Sequence, residues 1–586
     1  MLTTSRPRAS VAWKAAGRSG RALMALVGLA VLATSCSPEA ETVASRPPLG
    51  VPPAQPNIVL ILTDDVSMNL VAYMSEVRDM QEHGIDFTNS FVTSPLCCPS
   101  RGTILTGKYP HSTGIETNHW PNGGFGQFVD DMDTSLGPSL QRAGYRTGFI
   151  GKFLNGYEPT PDASGPAGDA DPPPVETLTT AYVPPGWDEW HVPGHSGYGH
   201  FGYDLTTAVD TRTGAIEERL GTDEEDYLTD VMAERATSFI DRATTAPNDP
   251  AGPFFLTVST FAAHPRSPGG DAEERGVRFP PAARDRLRPA RPADWPIGWA
   301  RSEFRLGDCG EPVGGGCADV AFPDPATAAT FNQVPSDAPD WMPRRALSPE
   351  RIAELEAEYL DRVRMMQSVN DLIRSVRSQL EAAGVADRTY LVFTSDNGFH
   401  LGEHGLDTGK RTAFDHDVRV PLVVLPPGGI EPVDRSEIVQ GTDLLPTFLD
   451  LAGADIPAEI DGRSLAGLLG TAPAPDDWRE GALVEQHRSR PIYESQDVDL
   501  EPGGPPSYFA LRTATYLYVD YGVPGAPGGR LDEFYDLRTD PDQMANVVRQ
   551  LDPADHAALR RAVLGYHGCT GATCLAVARD LPDPFG

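Results

Sequence analysis

Four runs of this chain are apolar almost without a break: Asn57 to Leu62, Pro253 to Val258, Thr389 to Thr394 and Pro421 to Leu425. A strand with one wet face alternates polar and apolar residues. These runs do not, so they are predicted to be buried on both faces. Helical periodicity fills the chain between them. It is clearest from Pro349 to Ala383, where Ile352, Leu355, Tyr359, Val363, Met366, Val369, Leu372 and Ile373 form one stripe, and a second helix is predicted over Tyr227 to Arg242. Strands that need both faces covered, alternating with helices that can cover them, imply an α/β fold with a large, mostly parallel sheet flanked by helices. A chain of 586 residues has room for one large domain and a smaller one.

After about residue 475 the pattern changes. Tyr508 to Tyr521 alternates as a strand, a Gly/Pro turn leads to Glu533–Leu537, and a helix is predicted over Pro553 to Leu564. This reads as a small α+β C-terminal domain. The stretches 156–200 and 265–345 are rich in Pro, Gly and Asp and too long for ordinary connections, so they are predicted to be insertions around an active-site mouth. At the N-terminus, basic residues Arg6 to Arg21 precede an apolar segment, Ala22 to Ala33, too short to span a bilayer, as in an export signal. It ends in Ala33-Thr34-Ser35-Cys36, which resembles the lipobox of bacterial lipoproteins, with Cys36 as the lipidated residue; plain secretion is the alternative. The expected organisation is a signal over 1–35, a linker over 36–56, a catalytic domain over 57–475 and a C-terminal domain over 476–586. A formal net charge of −34 repels nucleic acid and leaves membrane association to the lipid anchor at Cys36.

Seven cysteines then sort themselves. Cys309/Cys317 and Cys569/Cys574 are closely spaced pairs, as expected of small disulfide loops in an oxidising compartment. With Cys36 set aside, only the adjacent Cys97 and Cys98 remain, and neighbours rarely bridge each other. The first apolar strand ends in Asp64-Asp65, and the strand near 390 ends in Asp396-Asn397. Ligands of open α/β sheets sit beyond the carboxyl ends of the strands, so these four side chains can meet there. Oxygen-only ligands suit a hard cation, Ca²⁺ or Mg²⁺.

Cys97-Cys98-Pro99-Ser100-Arg101, with Leu105, Thr106 and Gly107 after it, resembles the C-x-P-S-R signature of the type I sulfatases of the alkaline phosphatase superfamily. The resemblance implies that Cys97 is oxidised to formylglycine by a formylglycine-generating enzyme. It implies that Asp64, Asp65, Asp396 and Asn397 join residue 97 in binding Ca²⁺, with Mg²⁺ the second choice. Gly151-Lys152 and Lys410 match the family's two active-site lysines, and Phe261-Ala262-Ala263-His264-Pro265 matches the loop carrying its histidine. Many sulfatases read G-K-W-H; here Lys152-Phe153-Leu154-Asn155 is similar to the branch that holds N-acetylglucosamine-6-sulfatase and the endosulfatases, with no histidine. Gly398 to Gly405 looks more like bacterial arylsulfatases, making His400 a pocket candidate and His404 a substrate-binding one.

The chain has four lysines against 44 arginines, and two of the four are Lys152 and Lys410. A retained ammonium suggests a site that needs a compact point charge. The implied activity is hydrolysis of a sulfate monoester, in an aryl sulfate or a sulfated sugar. Formylglycine at 97 is the nucleophile, activated by Asp396 and held by Arg101. Lys152 and Lys410 bind the sulfate, and His264 is the general acid. The alternatives are a phosphonate or phosphate ester hydrolase with the same site, or a surface lipoprotein that binds sulfated glycans without turnover.

Overall fold

Val59 and Ile61 of the first apolar run pack into one hydrophobic cluster, while Ile58, Leu60 and Leu62 pack into another. Both faces of that strand are therefore covered. The computed structural model describes residues 55–119, 121–157, 182–221, 223–245, 252–265, 309–310, 317, 320–488, 504–522 and 532–585. The expected signal, Cys36 and most of the linker lie outside the described residues, as do 158–181 and 266–308 of the expected insertions. Among the described residues no helix is long and apolar enough to cross a membrane.

Ten strands form the main sheet: β1 (Asn57–Thr63), β2 (Ile85–Phe87), β3 (Arg146–Gly151), β4 (Glu189–Pro193), β5 (Asp204–Ala208), β6 (Ile216–Arg219), β7 (Phe254–Ser259), β8 (Thr389–Ser395), β9 (Leu422–Leu425) and β10 (Val433–Arg435). Their order across the sheet is β10-β2-β9-β8-β1-β7-β3-β4-β5-β6. The central strands β8, β1, β7, β3 and β4 run parallel. The fourth apolar run, β9, is antiparallel to β8. The segment between them holds two short strands, His400–Leu401 and Thr408–Gly409, and a four-residue helix, Asp415–Val418, with no helix long enough to cover the sheet in a parallel crossover.

Helices cover the two faces. α1 (Cys97–Thr106) packs Ile104 and Leu105 under one face. α2 (Leu228–Thr245) and α3 (Pro349–Ala382) lie against the other. The C-terminal part forms an antiparallel sheet of β11 (Gly481–Gln486), β12 (Tyr508–Thr513), β13 (Tyr516–Asp520) and β14 (Glu533–Asp536). Helix α4 (Pro553–His567) buries Leu559, Val563 and Tyr566 against it. The single strand expected over Tyr508 to Tyr521 is instead a hairpin, because the chain turns back at Ala514 and Thr515. Cys309–Cys317 and Cys569–Cys574 are disulfides, and among the described residues Cys97 and Cys98 are outside any disulfide. Part of the expected 265–345 insertion packs on the C-terminal sheet: Ser336 exchanges backbone hydrogen bonds with Met544 and Asn546, and Ala338 and Met342 join that sheet's hydrophobic cluster.

The C-terminal sheet is joined to the segment that leads into α1 by a titratable cluster. The Glu485 N–H donates to the Thr93 carbonyl at 2.7 Å, and its buried carboxylate sits between His111 and His487. His111 also donates from Nε2 to the Cys569 carbonyl at 3.1 Å, so both its nitrogens face acceptors and it is held as imidazolium. Burial opposes both charged rings, yet Glu485 outweighs it and raises both histidine pKa values. Burial opposes the carboxylate too, and the histidines outweigh it and lower the Glu485 pKa. A raised histidine stabilises fully below its unfolded pKa of about 6.5 and loses that contribution as pH rises through the folded value. The lowered Glu485 contributes above its unfolded value and loses it only as pH falls through the folded one. Thermal melts should therefore show the wild type losing stability from neutral to alkaline pH more steeply than Glu485→Gln. Parallel pH profiles would contradict the cluster's role.

Candidate active site

Four parallel strands deliver the polar residues to one edge. β1 and β8 run in register with Thr63 beside Ser395, so the next residues, Asp64-Asp65 and Asp396-Asn397, leave the sheet side by side. β3 ends at Gly151, opposite Ser259 of β7, and a Cβ on Gly151 would lie 2.0 Å from the Ser259 carbonyl oxygen. With φ at +100°, this position needs glycine, and the close approach sets Lys152 beside the cluster. β7 runs on to Phe261 and His264. α1 starts at Cys97, with Pro99 in its first turn where an N–H has no helical partner, and ends at Gly107 in a left-handed cap. Its N-terminus faces the strand ends, bringing the positive end of the helix to the same place.

The side chains interlock. Cys97 Sγ lies 3.5 Å from Asp64 Oδ1 and accepts from Lys410 Nζ at 3.1 Å. Lys152 Nζ donates to Asp64 Oδ2, and Lys410 Nζ to Asp65 Oδ1 at 2.7 Å. Arg101 donates from Nε to Asp396 Oδ2 at 2.7 Å, and from Nη1 to the Lys152 carbonyl at 3.0 Å and Ser259 Oγ at 2.6 Å. Asn397 Nδ2 donates to Asp65 Oδ1 at 2.5 Å, and the Asp65 N–H to Asp396 Oδ1 at 3.2 Å. His264 Nδ1 donates to the Pro265 carbonyl at 2.7 Å, which leaves Nε2 4.0 Å from Asp65 Oδ2. All of these groups are buried.

Three carboxylates thus meet three cationic side chains and a histidine. The charge balance shows in the titration. Burial alone would raise the Asp64 pKa, but Lys152, His264, Arg101 and Lys410 hold it well below the carboxylate range. At Asp396 burial wins over Arg101 and the value is pushed up to about 6. Burial, with Asp64 adding to it, pushes the Cys97 thiol up. A thiol raised in this way is a poor nucleophile at neutral pH.

The expected residues Asp64, Asp65, Cys97, Arg101, Lys152, His264, Asp396, Asn397 and Lys410 all fall in this one cluster. Two details differ from expectation. The carboxylate beside Cys97 is Asp64, because both Asp396 oxygens are engaged by Arg101 and the Asp65 N–H. Arg101 spends Nε and Nη1 on the scaffold, and only Nη2 remains without a hydrogen-bond partner. His404 lies elsewhere. Its backbone turns at φ +55°, its ring stacks on Phe414 at 3.8 Å, and Nε2 donates to the Asp542 carbonyl at 3.0 Å. Burial holds it neutral, lowering its pKa well below the usual value, so it joins the C-terminal segment to the active-site loop rather than facing substrate. His400 Nδ1 sits 2.9 Å from Asp417, whose carboxylate also accepts from Thr412 N–H at 2.8 Å and Oγ1 at 2.6 Å. That pair secures the loop carrying Lys410. Another lysine, Lys108, pairs with Asp131 at 2.8 Å, outside the cluster.

Several residues went unread in the sequence. Tyr198 lies 4.7 Å under Lys152 Nζ and 4.6 Å from the His264 ring, and its hydroxyl donates to Asn155 Oδ1 at 3.2 Å. Asn155 also exchanges hydrogen bonds with the Cys98 thiol, and Asn118 Oδ1 caps the Cys98 N–H at 2.9 Å. Asn155 stands in the Gly151–Tyr157 segment and could have been found there. Ser259 and Tyr198 carry no local signal.

The cluster fits a hard cation. Asp64, Asp65 and Asp396 bring carboxylate oxygens within 4.8 Å of one another. Asp65 Oδ2 and Asn397 Oδ1 are buried without a hydrogen-bond partner, an expensive arrangement unless another positive group takes them.

The comparisons agree with this geometry. The sulfatase family model matches residues 56–454. A second, described as N-sulphoglucosamine sulphohydrolase, C-terminal, matches residues 402–561. The chain is 29% identical over 547 residues to N-acetylglucosamine-6-sulfatase of Homo sapiens, covering 89% of this chain and 86% of that protein. A solved structure described as a complex with its substrate D-glucosamine-2-N,6-O-disulfate superposes with a TM-score of 0.55 at 22% identity, over 87% of this chain and 96% of that one. A phosphonate monoester hydrolase from Silicibacter pomeroyi superposes with a TM-score of 0.54 at 20% identity, over 86% and 93%. These superpositions identify the expected alkaline-phosphatase-like sheet with its small C-terminal sheet. Matched to the family over more than half its length and carrying the cluster at its strand ends, the chain belongs to the sulfatase family.

Proposed function

We propose that this sulfatase hydrolyses sulfate monoesters of sulfated sugars or aryl alcohols, using formylglycine made from Cys97 as nucleophile and Ca²⁺ as its cation. The observation that carries the reading is Cys97 itself, a buried thiol with a raised pKa at the N-terminus of α1, between Asp64 and Lys410. As a thiol it is poorly suited to attack. As a hydrated aldehyde it offers two hydroxyl groups at the same point.

Asp64, Asp65, Asp396, Asn397 and residue 97 would hold the cation. When bound, it supplies positive charge that neutralises sulfate oxygens and makes a nearby hydroxyl more acidic. Lys152 and Lys410 bind the remaining sulfate oxygens as fixed ammonium charges inside an acidic protein. One hydroxyl at residue 97 passes its proton to water and attacks sulfur, the ester S–O bond breaks, and His264, protonated on both nitrogens, gives its Nε2 proton to the departing alcohol. The second hydroxyl then loses its proton, the bond to sulfate breaks, and the aldehyde returns. Lys410 is a donor to this position and Asp64 is held well below the carboxylate range, so this proton passes to water. The chain's basic-apolar start and Cys36 support export, with lipid anchoring at Cys36.

The likeness to N-acetylglucosamine-6-sulfatase supports a sulfated amino sugar as substrate, and the fold shared with phosphonate monoester hydrolase keeps phosphorus esters as the second reading. Rates on nitrophenyl sulfate and phenylphosphonate separate the two. The proposal expects the sulfate to be turned over faster; a preference for the phosphonate would overturn it.

A further inference from the structure

A guanidinium lies inside the apolar face of α3. Arg362 is 0% exposed, one turn from Tyr359 and Met366 and among Leu355, Val363 and Val369, all of them core residues. Burying a charged group there is costly unless something specific is gained. Its described contacts point to what that is. Nη2 donates to the backbone carbonyl of Asp65, and the guanidinium lies 4.3 Å from the centroid of the Phe399 ring.

Both contacts fall on the segments that carry the carboxylate cluster. Successive residues of a strand point to opposite faces, so Asp64 and Asp65 could not both reach one cluster from an extended chain. The chain avoids this by turning at Asp65 with φ +60°, a left-handed conformation unfavourable for a residue with a Cβ. Side chains hold the turn through Asp65 N–H to Asp396 Oδ1 at 3.2 Å, Val66 N–H to Ser395 Oγ at 3.0 Å, and Arg362 to the Asp65 carbonyl, beside the backbone bond from Ala263 N–H to the Asp64 carbonyl at 2.8 Å. Phe399, the other contact, follows Asn397 by two residues. Arg362 therefore grips both ligand-bearing strand ends from behind, without lying among the oxygens itself.

We propose that Arg362 is a positioning residue that sets the two strand ends for divalent-cation binding. The proposal rests on the reading of Asp65 and Asn397 as cation ligands. Arginine suits the role because its planar head can donate to the carbonyl while stacking on the ring, which a lysine ammonium cannot do.

The test uses the full-length protein, freed of metal with a chelator and titrated with Ca²⁺ by calorimetry. Kinetics on an aryl sulfate and melts with and without Ca²⁺ run in parallel. Arg362→Met should weaken Ca²⁺ binding by roughly 10- to 100-fold, the range for supporting groups behind metal ligands. Its KM should be unchanged, its kcat should recover at saturating Ca²⁺, and Arg362→Lys should fall between. Wild-type Ca²⁺ affinity in folded Arg362→Met overturns the proposal. Should Arg362→Met not fold, Arg362→Lys and Phe399→Leu decide: weakened Ca²⁺ affinity in both supports the proposal, and unchanged affinity in both overturns it. Asp65→Asn separates the two layers. If it binds Ca²⁺ as wild type does, the cation reading fails. If it binds weakly while the Arg362 variants bind normally, only the positioning role fails.

Discussion

Cys97→Ala is expected to lose essentially all turnover of an aryl sulfate, a drop of roughly 10⁴-fold or more, as when a covalent nucleophile is removed elsewhere. The fold should survive. Cys97 opens α1, alanine is a good helix former, and the sulfur's hydrogen-bond partners, Asp64 and Lys410, also bond to others. The melting temperature should therefore shift by an amount worth about 1 kcal/mol, typical of a point substitution. Cys97→Ser discriminates further. A serine has one hydroxyl, so it can accept sulfate but has no second hydroxyl with which to expel it. It should accumulate a covalent sulfate ester, visible by mass, in place of steady turnover. Cys97→Ala hydrolysing at the wild-type rate would show that residue 97 is not the nucleophile.

The second large effect is expected at Asp64. This one carboxylate touches the residue-97 side chain through Oδ1 and Lys152 through Oδ2. Asp64→Asn keeps the shape but removes the charge. It should lower kcat/KM by roughly 10³-fold, about 4 kcal/mol of transition-state stabilisation, the scale of losing a metal ion's Lewis-acid contribution. It should also cost about 3 kcal/mol of stability, because the buried Lys152 ammonium loses its counter-charge. Activity assays and thermal melts across a Ca²⁺ titration read both. The wild type should gain melting temperature with Ca²⁺, and Asp64→Asn should gain much less. Equal Ca²⁺-dependent shifts in the two proteins would remove Asp64 from the cation site.

Much of the fold was legible because buried parallel strands leave a composition that little else produces. β1, β7 and β8 appear in the sequence as unbroken apolar runs, and the acidic residues just past β1 and β8 mark the edge where the cluster forms. Direction was not legible for β9, since an apolar run reads the same whether it runs up or down; the lack of a crossover helix between β8 and β9 decided it. The hairpin at Ala514–Thr515 was hidden because two strands joined by a tight turn keep one alternation going. His404 misled for a related reason. A histidine in a glycine-rich active-site loop looks available, but the left-handed turn there sends its ring under the C-terminal segment. Ser259, Tyr198 and Arg362 depend on contacts between distant parts of the chain. Arg362 alone left a local sign, a charge on the stripe that otherwise reads Leu355, Tyr359, Val363 and Met366.

The chemistry at residue 97 can be read directly from a peptide. Trypsin releases Asp79–Arg101, which contains Cys97 and Cys98 and no other cysteine. After alkylation of protein made in a host with the maturation enzyme, this peptide should carry one alkyl group, on Cys98, and at 97 a residue about 18 Da lighter than cysteine. Two alkyl groups and an unaltered Cys97 in enzyme that still hydrolyses an aryl sulfate would contradict a formylglycine nucleophile.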